Sequence, residues 1–186
     1  MERTTSMNKL NASGFTLIEL MITVAIIAIV LTIAVPSFQQ VIMNNRMATQ
    51  ANDLLGSMNL ARSEAVKRGQ RVALCKTADP FAATPACTTS GAWGQGWLIF
   101  VDSDNDALSA GEVLLKVHES ISPSTLSGDT NVANYLSYAA DGTTRLAASN
   151  AFQSGTLTLC PGTSGMTGRS IVVNAAGRAR IASVPC

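Results

Sequence analysis

Residues 15 to 35 read FTLIELMITVAIIAIVLTIAV, an apolar run with one charged side chain, Glu19. At about 1.5 Å of rise per residue, a helix of this length matches the roughly 30 Å hydrocarbon core of a bilayer. The segment is therefore expected to span a membrane. The 14 residues before it contain Glu2, Arg3 and Lys9 and are net positive. Positive flanks stay on the cytoplasmic side, which places everything after Pro36 outside. An ordinary secretory signal carries its small-residue cleavage site after the apolar region. Here the small residue, Gly14, comes first, so a cut after Gly14 removes the leader 1–14 and leaves the helix on the mature chain. Glu19 adds a second argument. A carboxylate in hydrocarbon costs about 3 kcal/mol on insertion scales and calls for a partner; the most available one is a cation on another chain.

Working outward from that run, Pro36 can kink or locally unwind the helix, but the pattern beyond it stays helical. Phe38, Val41, Ile42, Ala48, Ala51, Leu55, Met58, Ala61 and Ala65 recur at three- and four-residue steps, as an amphipathic helix requires. Gly69 stops it, so the amphipathic half covers 36–68. Met43, Met47 and Met58 read as packing residues. After Gly69 the signal turns to short strand-like runs at 71–75, 96–101, 113–117, 135–138, 156–160 and 170–174, separated by Gly, Pro, Asp and Ser clusters. The fold class is α+β: a long N-terminal helix whose second half packs on a mostly antiparallel sheet, with 69–186 as a β-rich head.

Cys75, Cys87, Cys160 and Cys186 all follow the apolar run, and none forms a CxxC pair. Zinc is not expected. In an exported head an even cysteine count favours disulfides, and four cysteines allow three pairings. Sequence order selects Cys75 with Cys87 and Cys160 with Cys186. The net charge is only +1, but it is segregated. Residues 77–144 are strongly acidic, while 145–186 contain Arg145, Arg169, Arg178 and Arg180 and no acidic side chain. The tail can therefore present a basic patch.

Gly14-Phe15-Thr16-Leu17-Ile18-Glu19 resembles the prepilin peptidase motif of type IV pilins and type II secretion pseudopilins. The resemblance implies cleavage between Gly14 and Phe15, N-methylation of Phe15, and neutralisation of a neighbouring subunit's amino terminus by Glu19 during assembly. Pro36 falls where pilins carry a helix-bending proline. The runs LARSEAVKRGQRVALC at 60–75, GAWGQGWLIFVDSDND at 91–106 and GRSIVVNAAGRARI at 168–181 are similar to the GspH/FimT family of minor pilins and pseudopilins, over essentially the whole chain. Gly177-Arg178-Ala179-Arg180 matches the GRxR motif of FimT-like minor pilins, for which the family implies binding of double-stranded DNA in natural transformation.

Chemistry is consistent with that site. Two arginines two apart on a strand point the same way, or on a loop flank a phosphate, and a preceding glycine permits close backbone approach. The planar, permanently charged guanidinium suits phosphate oxygens. Contacts of this kind are independent of sequence and sensitive to salt. Arg145 and Arg169 are expected to extend the patch. The plainer alternative is a solvated turn whose arginines pair with the acidic middle segment.

Asp102-Ser103-Asp104-Asn105-Asp106 alternates oxygens as a calcium loop does, but position six is Ala107 and position twelve Val113. The EF-hand pattern fails, and the stretch reads as a hairpin loop with no metal. Trp93 and Trp97 read as core residues. His118 is the lone histidine with no nucleophile motif to join, so neither catalysis nor a cofactor is expected. The implied function is a minor pilin of a type IV pilus that meets prepilin peptidase, then other pilin subunits, then DNA. It would reside in the inner membrane as a single pass with its head in the periplasm, and later in the extracellular filament near its tip. The alternatives are a structural minor pilin that primes or caps assembly, and a type II secretion pseudopilin.

Overall fold

The computed structural model describes residues 14–108, 112–163 and 165–186; the leader thus lies almost wholly outside the described residues. One helix, α1 (Leu17–Arg68), opens the chain, which divides into an N-terminal unit ending at Ile42 and a C-terminal unit beginning at Met43.

In the N-terminal unit, Thr16 caps the helix. Its Oγ1 accepts from the Glu19 amide at 3.3 Å and its carbonyl from the Leu20 amide at 3.1 Å, satisfying donors that a helix start leaves without partners. The hydroxyls of Thr23, Thr32 and Ser37 donate to the carbonyls of Leu20, Ile29 and Ile33. These hydroxyls are thus satisfied within the helix, as a hydrocarbon environment demands. The large apolar side chains from Phe15 to Val35 are exposed, and the helix is long and apolar enough to cross a membrane. It runs through Pro36 without leaving helical geometry, so the proline produces no unwound turn.

In the C-terminal unit α1 buries Met47, Ala51, Leu54, Met58, Ala61 and Ala65, a stripe of alternating four- and three-residue steps. This corrects the stripe read from sequence at two positions: Ala48 and Leu55 are half-buried, and their neighbours Met47 and Leu54 take the core. Phe38, Val41 and Ile42 are exposed. Both members of each adjacent pair are apolar, so periodicity alone could not choose between them.

Among the described residues eight strands follow: β1 (Val72–Lys76), β2 (Trp97–Val101), β3 (Val113–His118), β4 (Thr125–Gly128), β5 (Tyr135–Tyr138), β6 (Gly155–Cys160), β7 (Thr167–Val173) and β8 (Ala179–Pro185). They form two four-stranded sheets, ordered β3-β2-β1-β5 and β4-β6-β7-β8, and every pairing is antiparallel. The expectation of one sheet is thereby refined to two, and β4 and β8 join the six strands found in the sequence. The α+β class stands.

A single core joins the helix stripe to both sheets through Val72, Leu74, Ile99 and Leu136 on one side and Leu126, Leu157, Leu159, Ile171 and Val173 on the other. The central strands β1 and β2 are buried on both faces. Their outer face forms a second, smaller core of Ala73, Cys75, Leu98, Phe100 and Ala107. Disulfides join Cys75 to Cys87 and Cys160 to Cys186. Trp93 and Trp97 are fully buried; the Trp93 Nε1 donates to the carbonyls of Val132 and Ala133, and the Trp97 Nε1 to the Ser57 hydroxyl. His118 stacks on Trp97 with ring centroids 3.7 Å apart.

Arg71 is buried at the start of β1. Its guanidinium donates to Asn105 Oδ1, Ser137 Oγ, the Arg145 carbonyl and Asn150 Oδ1. Asp102, just past β2, is also buried. Burial, chiefly, pushes its carboxyl up to about 6; the Ala107 amide and Arg71 ease the charge, while Glu112 and Asp104 oppose it.

Candidate nucleic-acid interface

The register Val173 to Ala179 closes β7 onto β8 and leaves residues 174–178 as the turn. Asn174 organises it. Its amide donates to the Arg178 carbonyl at 3.0 Å, its carbonyl accepts from the Gly177 amide at 2.9 Å, and its Oδ1 accepts from the Arg178 amide at 3.0 Å. Gly177 sits at φ +74°, and a Cβ there would lie 2.1 Å from the Gly142 carbonyl oxygen. Only glycine satisfies both conditions. The glycine of the GRxR stretch is therefore required by the backbone itself.

Groups distant in sequence hold this turn. Arg62 Nη2 on the helix donates to the Ala176 carbonyl at 3.0 Å. The Thr144 amide donates to the Ala175 carbonyl at 3.1 Å, and its hydroxyl to the Asn174 carbonyl at 3.0 Å. Sequence reasoning missed Arg62 and Thr144, because nothing local marks a residue that supports a turn formed more than 30 positions downstream.

Arg178, in the turn, and Arg180, on β8, are both exposed. They line one shallow hollow of about 470 Å³ together with Val172, Asn174 and Ala179. Arg180 pairs with Val172 in the register, so it stands on the sheet face opposite the buried Ile171. Among the described residues neither side chain makes a hydrogen bond or an ion pair. The plainer reading, in which these two arginines pair with the acidic middle segment, has no counterpart among those contacts.

The other two arginines, expected to extend the patch, do not line that hollow. Arg169 pairs with Ser183, on the same face as Ile171 and Ile181, and donates to the Gly168 carbonyl at 3.0 Å and to Ser183 Oγ at 3.5 Å. Alternation along the strand sends it to the face opposite Arg180. Arg145 is occupied locally: it pairs with Asp141 at 3.5 Å, donates to Thr143 Oγ1 and the Asn150 carbonyl, and lies over the Phe152 ring at 4.3 Å. Hydrogen bonds from Thr143, with Arg145 adding to them, hold the Asp141 carboxyl below its usual range.

In the N-terminal unit, Gly14 and Phe15 are exposed and precede α1. Glu19 lies in the first helical turn, exposed, and its carboxylate makes no hydrogen bond or ion pair among the described residues.

An apolar N-terminal helix that continues into a head of antiparallel sheets defines a subunit of the type IV pilin class. The model of the family described as Type II transport protein GspH matches residues 50–177, and the chain belongs to that family of minor pilins and pseudopilins. Residues 9–35 match the prokaryotic N-terminal methylation motif. Two crystal forms of the Pseudomonas aeruginosa type IV minor pilin FimU are similar in structure. The P21 form gives a TM-score of 0.57 at 22% identity over 75% of this chain and 90% of that one. The P65 form gives 0.54 at 22% identity over 73% and 91%. At that identity the likeness establishes the fold. No curated protein matches the chain. Family membership brings processing by prepilin peptidase, anchoring by the apolar helix and assembly with other pilins; the family is structural, not enzymatic.

Proposed function

We propose that this chain is a minor pilin of a type IV pilus that captures extracellular double-stranded DNA for uptake in natural transformation, through Arg178 and Arg180. The observation that carries the reading is the pair itself: two exposed arginines on one hollow, with no hydrogen-bond or ion-pair partner among the described residues, at a turn held by Arg62 and Thr144. A fixed turn lets both guanidinia meet phosphate oxygens with little ordering cost. Binding of this kind is independent of base sequence and weakens with salt. A position near the filament tip would leave the β7–β8 turn accessible.

The test is titration of the full chain in detergent with a short labelled duplex at two salt concentrations. Arg178→Gln with Arg180→Gln should weaken binding at least about tenfold and lower the salt slope by roughly two contacts. Arg169→Gln should leave it unchanged. Equal affinity for the double variant and the parent chain removes the site.

At the other end, the proposal assigns cleavage between Gly14 and Phe15, methylation of Phe15 and, to Glu19, the recognition of a neighbouring subunit's amino terminus. An intramembrane carboxylate with no hydrogen-bond or ion-pair partner among the described residues supports that role. A second reading, a type II secretion pseudopilin, is favoured by the description of the matching family. It predicts no DNA affinity and co-purification with secretion subunits.

A further inference from the structure

The loop that leaves β2 carries Asp102, Asp104 and Asp106, and one ligand oxygen of each lies within 4.8 Å of the others. Acidic side chains gather in many exposed loops, so this convergence alone decides nothing. Asp102 distinguishes the cluster. Its residue is 1% exposed, and neither carboxylate oxygen completes a hydrogen bond of good geometry. The nearby cation does not substitute: Arg71 Nε is 3.8 Å from Asp102 Oδ2, and its N–H is spent on Asn105 Oδ1 at 3.1 Å. A buried carboxylate is normally bonded or metal-bound.

A fourth acid closes the other side of the loop. Glu112 Oε1 accepts from the Ser103 amide, and its Oε2 is buried without a hydrogen-bond partner. Among the described residues, Asp102, Asp104, Asp106 and Glu112 thus gather at this loop, with the Arg71 guanidinium approaching Asp102. Asp102, Ser103, Asn105 and Arg71 also line a hollow of about 310 Å³, so the loop is reachable from solvent. Ala107, at the position where a calcium loop has its glycine, adopts φ +62°, the left-handed turn that such a loop needs there.

We propose that Asp102, Asp104 and Asp106 bind a divalent cation of the calcium class, with Glu112 completing the negative environment. Calcium is favoured over magnesium because it accepts several carboxylate oxygens in a flexible arrangement, whereas magnesium demands a near-octahedral shell and sheds water reluctantly. The sequence pattern hid the site, since its last acid falls at position eleven of the loop and not at twelve.

Full-length chain in detergent, stripped with a chelator, is to be melted and dialysed against calcium chloride, magnesium chloride and sodium chloride of equal ionic strength. The expected result is about one calcium per chain with a dissociation constant of roughly 0.1–1 mM and a rise in Tm of about 5 °C at saturation. In Asp104→Asn with Asp106→Asn, side-chain oxygens remain to accept from the Asp106 and Leu108 amides, which keeps those two bonds. That variant should match the parent's Tm without calcium and bind calcium at least about tenfold more weakly. No retained calcium and no shift in the parent chain overturns the proposal, as does undiminished calcium binding by the variant. An equal shift from magnesium or from sodium chloride overturns the calcium assignment.

Discussion

Gly177 shows how one backbone position governs the candidate site. Its φ of +74° and the 2.1 Å approach of a would-be Cβ to the Gly142 carbonyl exclude a side chain on two independent grounds. Backbone cannot retreat as a flexible side chain can. Gly177→Ala is expected to destabilise the chain by roughly 2–4 kcal/mol, read as a fall in Tm by circular dichroism. Arg178→Gln and Arg180→Gln, both at exposed positions, should change stability by less than about 0.5 kcal/mol. The contrast separates the structural part of the GRxR stretch from the part proposed to touch DNA. Gly177 and its arginines were legible in the sequence, but their division of labour was not. It depends on Gly142, which reaches the turn only after the sheet is built.

At the scale of elements, β8 shows what a strand owes to its neighbours. It is the edge of its sheet and pairs only with β7, and much of it is exposed. Its end is secured by the bond between Cys160, at the end of β6, and Cys186. Loss of a cross-link over a loop of this size is expected to cost about 3 kcal/mol. In Cys160→Ser with Cys186→Ser, hydrogen exchange should speed up first along β8. Uniform protection equal to the parent's would show that strand pairing alone holds the edge. The same strand explains why two of the tail arginines part. Composition placed them together, but register sends Arg169 and Arg180 to opposite faces. Strand β4, reading Thr-Leu-Ser-Gly, has no apolar alternation long enough to announce itself and exists through its ladder with β6.

Across the whole molecule, each unit has its own work. The N-terminal unit exposes its large apolar side chains, with Glu19 as the only charge between Phe15 and Val35. Glu19→Ala is expected to leave membrane insertion intact and to abolish incorporation into filaments, measured by immunoblot of sheared filaments beside the membrane fraction. Mass measurement of the mature chain should show a methylated Phe15 at its start; another terminus, or normal incorporation of the alanine variant, sinks the assembly role. The C-terminal unit closes its core with one helix stripe against two sheets.

By itself the sequence determined the N-terminal apolar helix, the α+β class and most of the strands, because these follow from hydrophobic period and run length, properties carried by neighbouring residues. It also marked the glycine and two arginines of the tail by a short local pattern. Only the tertiary structure decided which neighbours face the core, as with Met47 over Ala48, how eight strands divide into two sheets, and which arginines share a surface. It also brought Arg62 and Thr144 to the β7–β8 turn. Those outcomes depend on pairing and packing between segments far apart in the chain, and no local window of sequence contains that information.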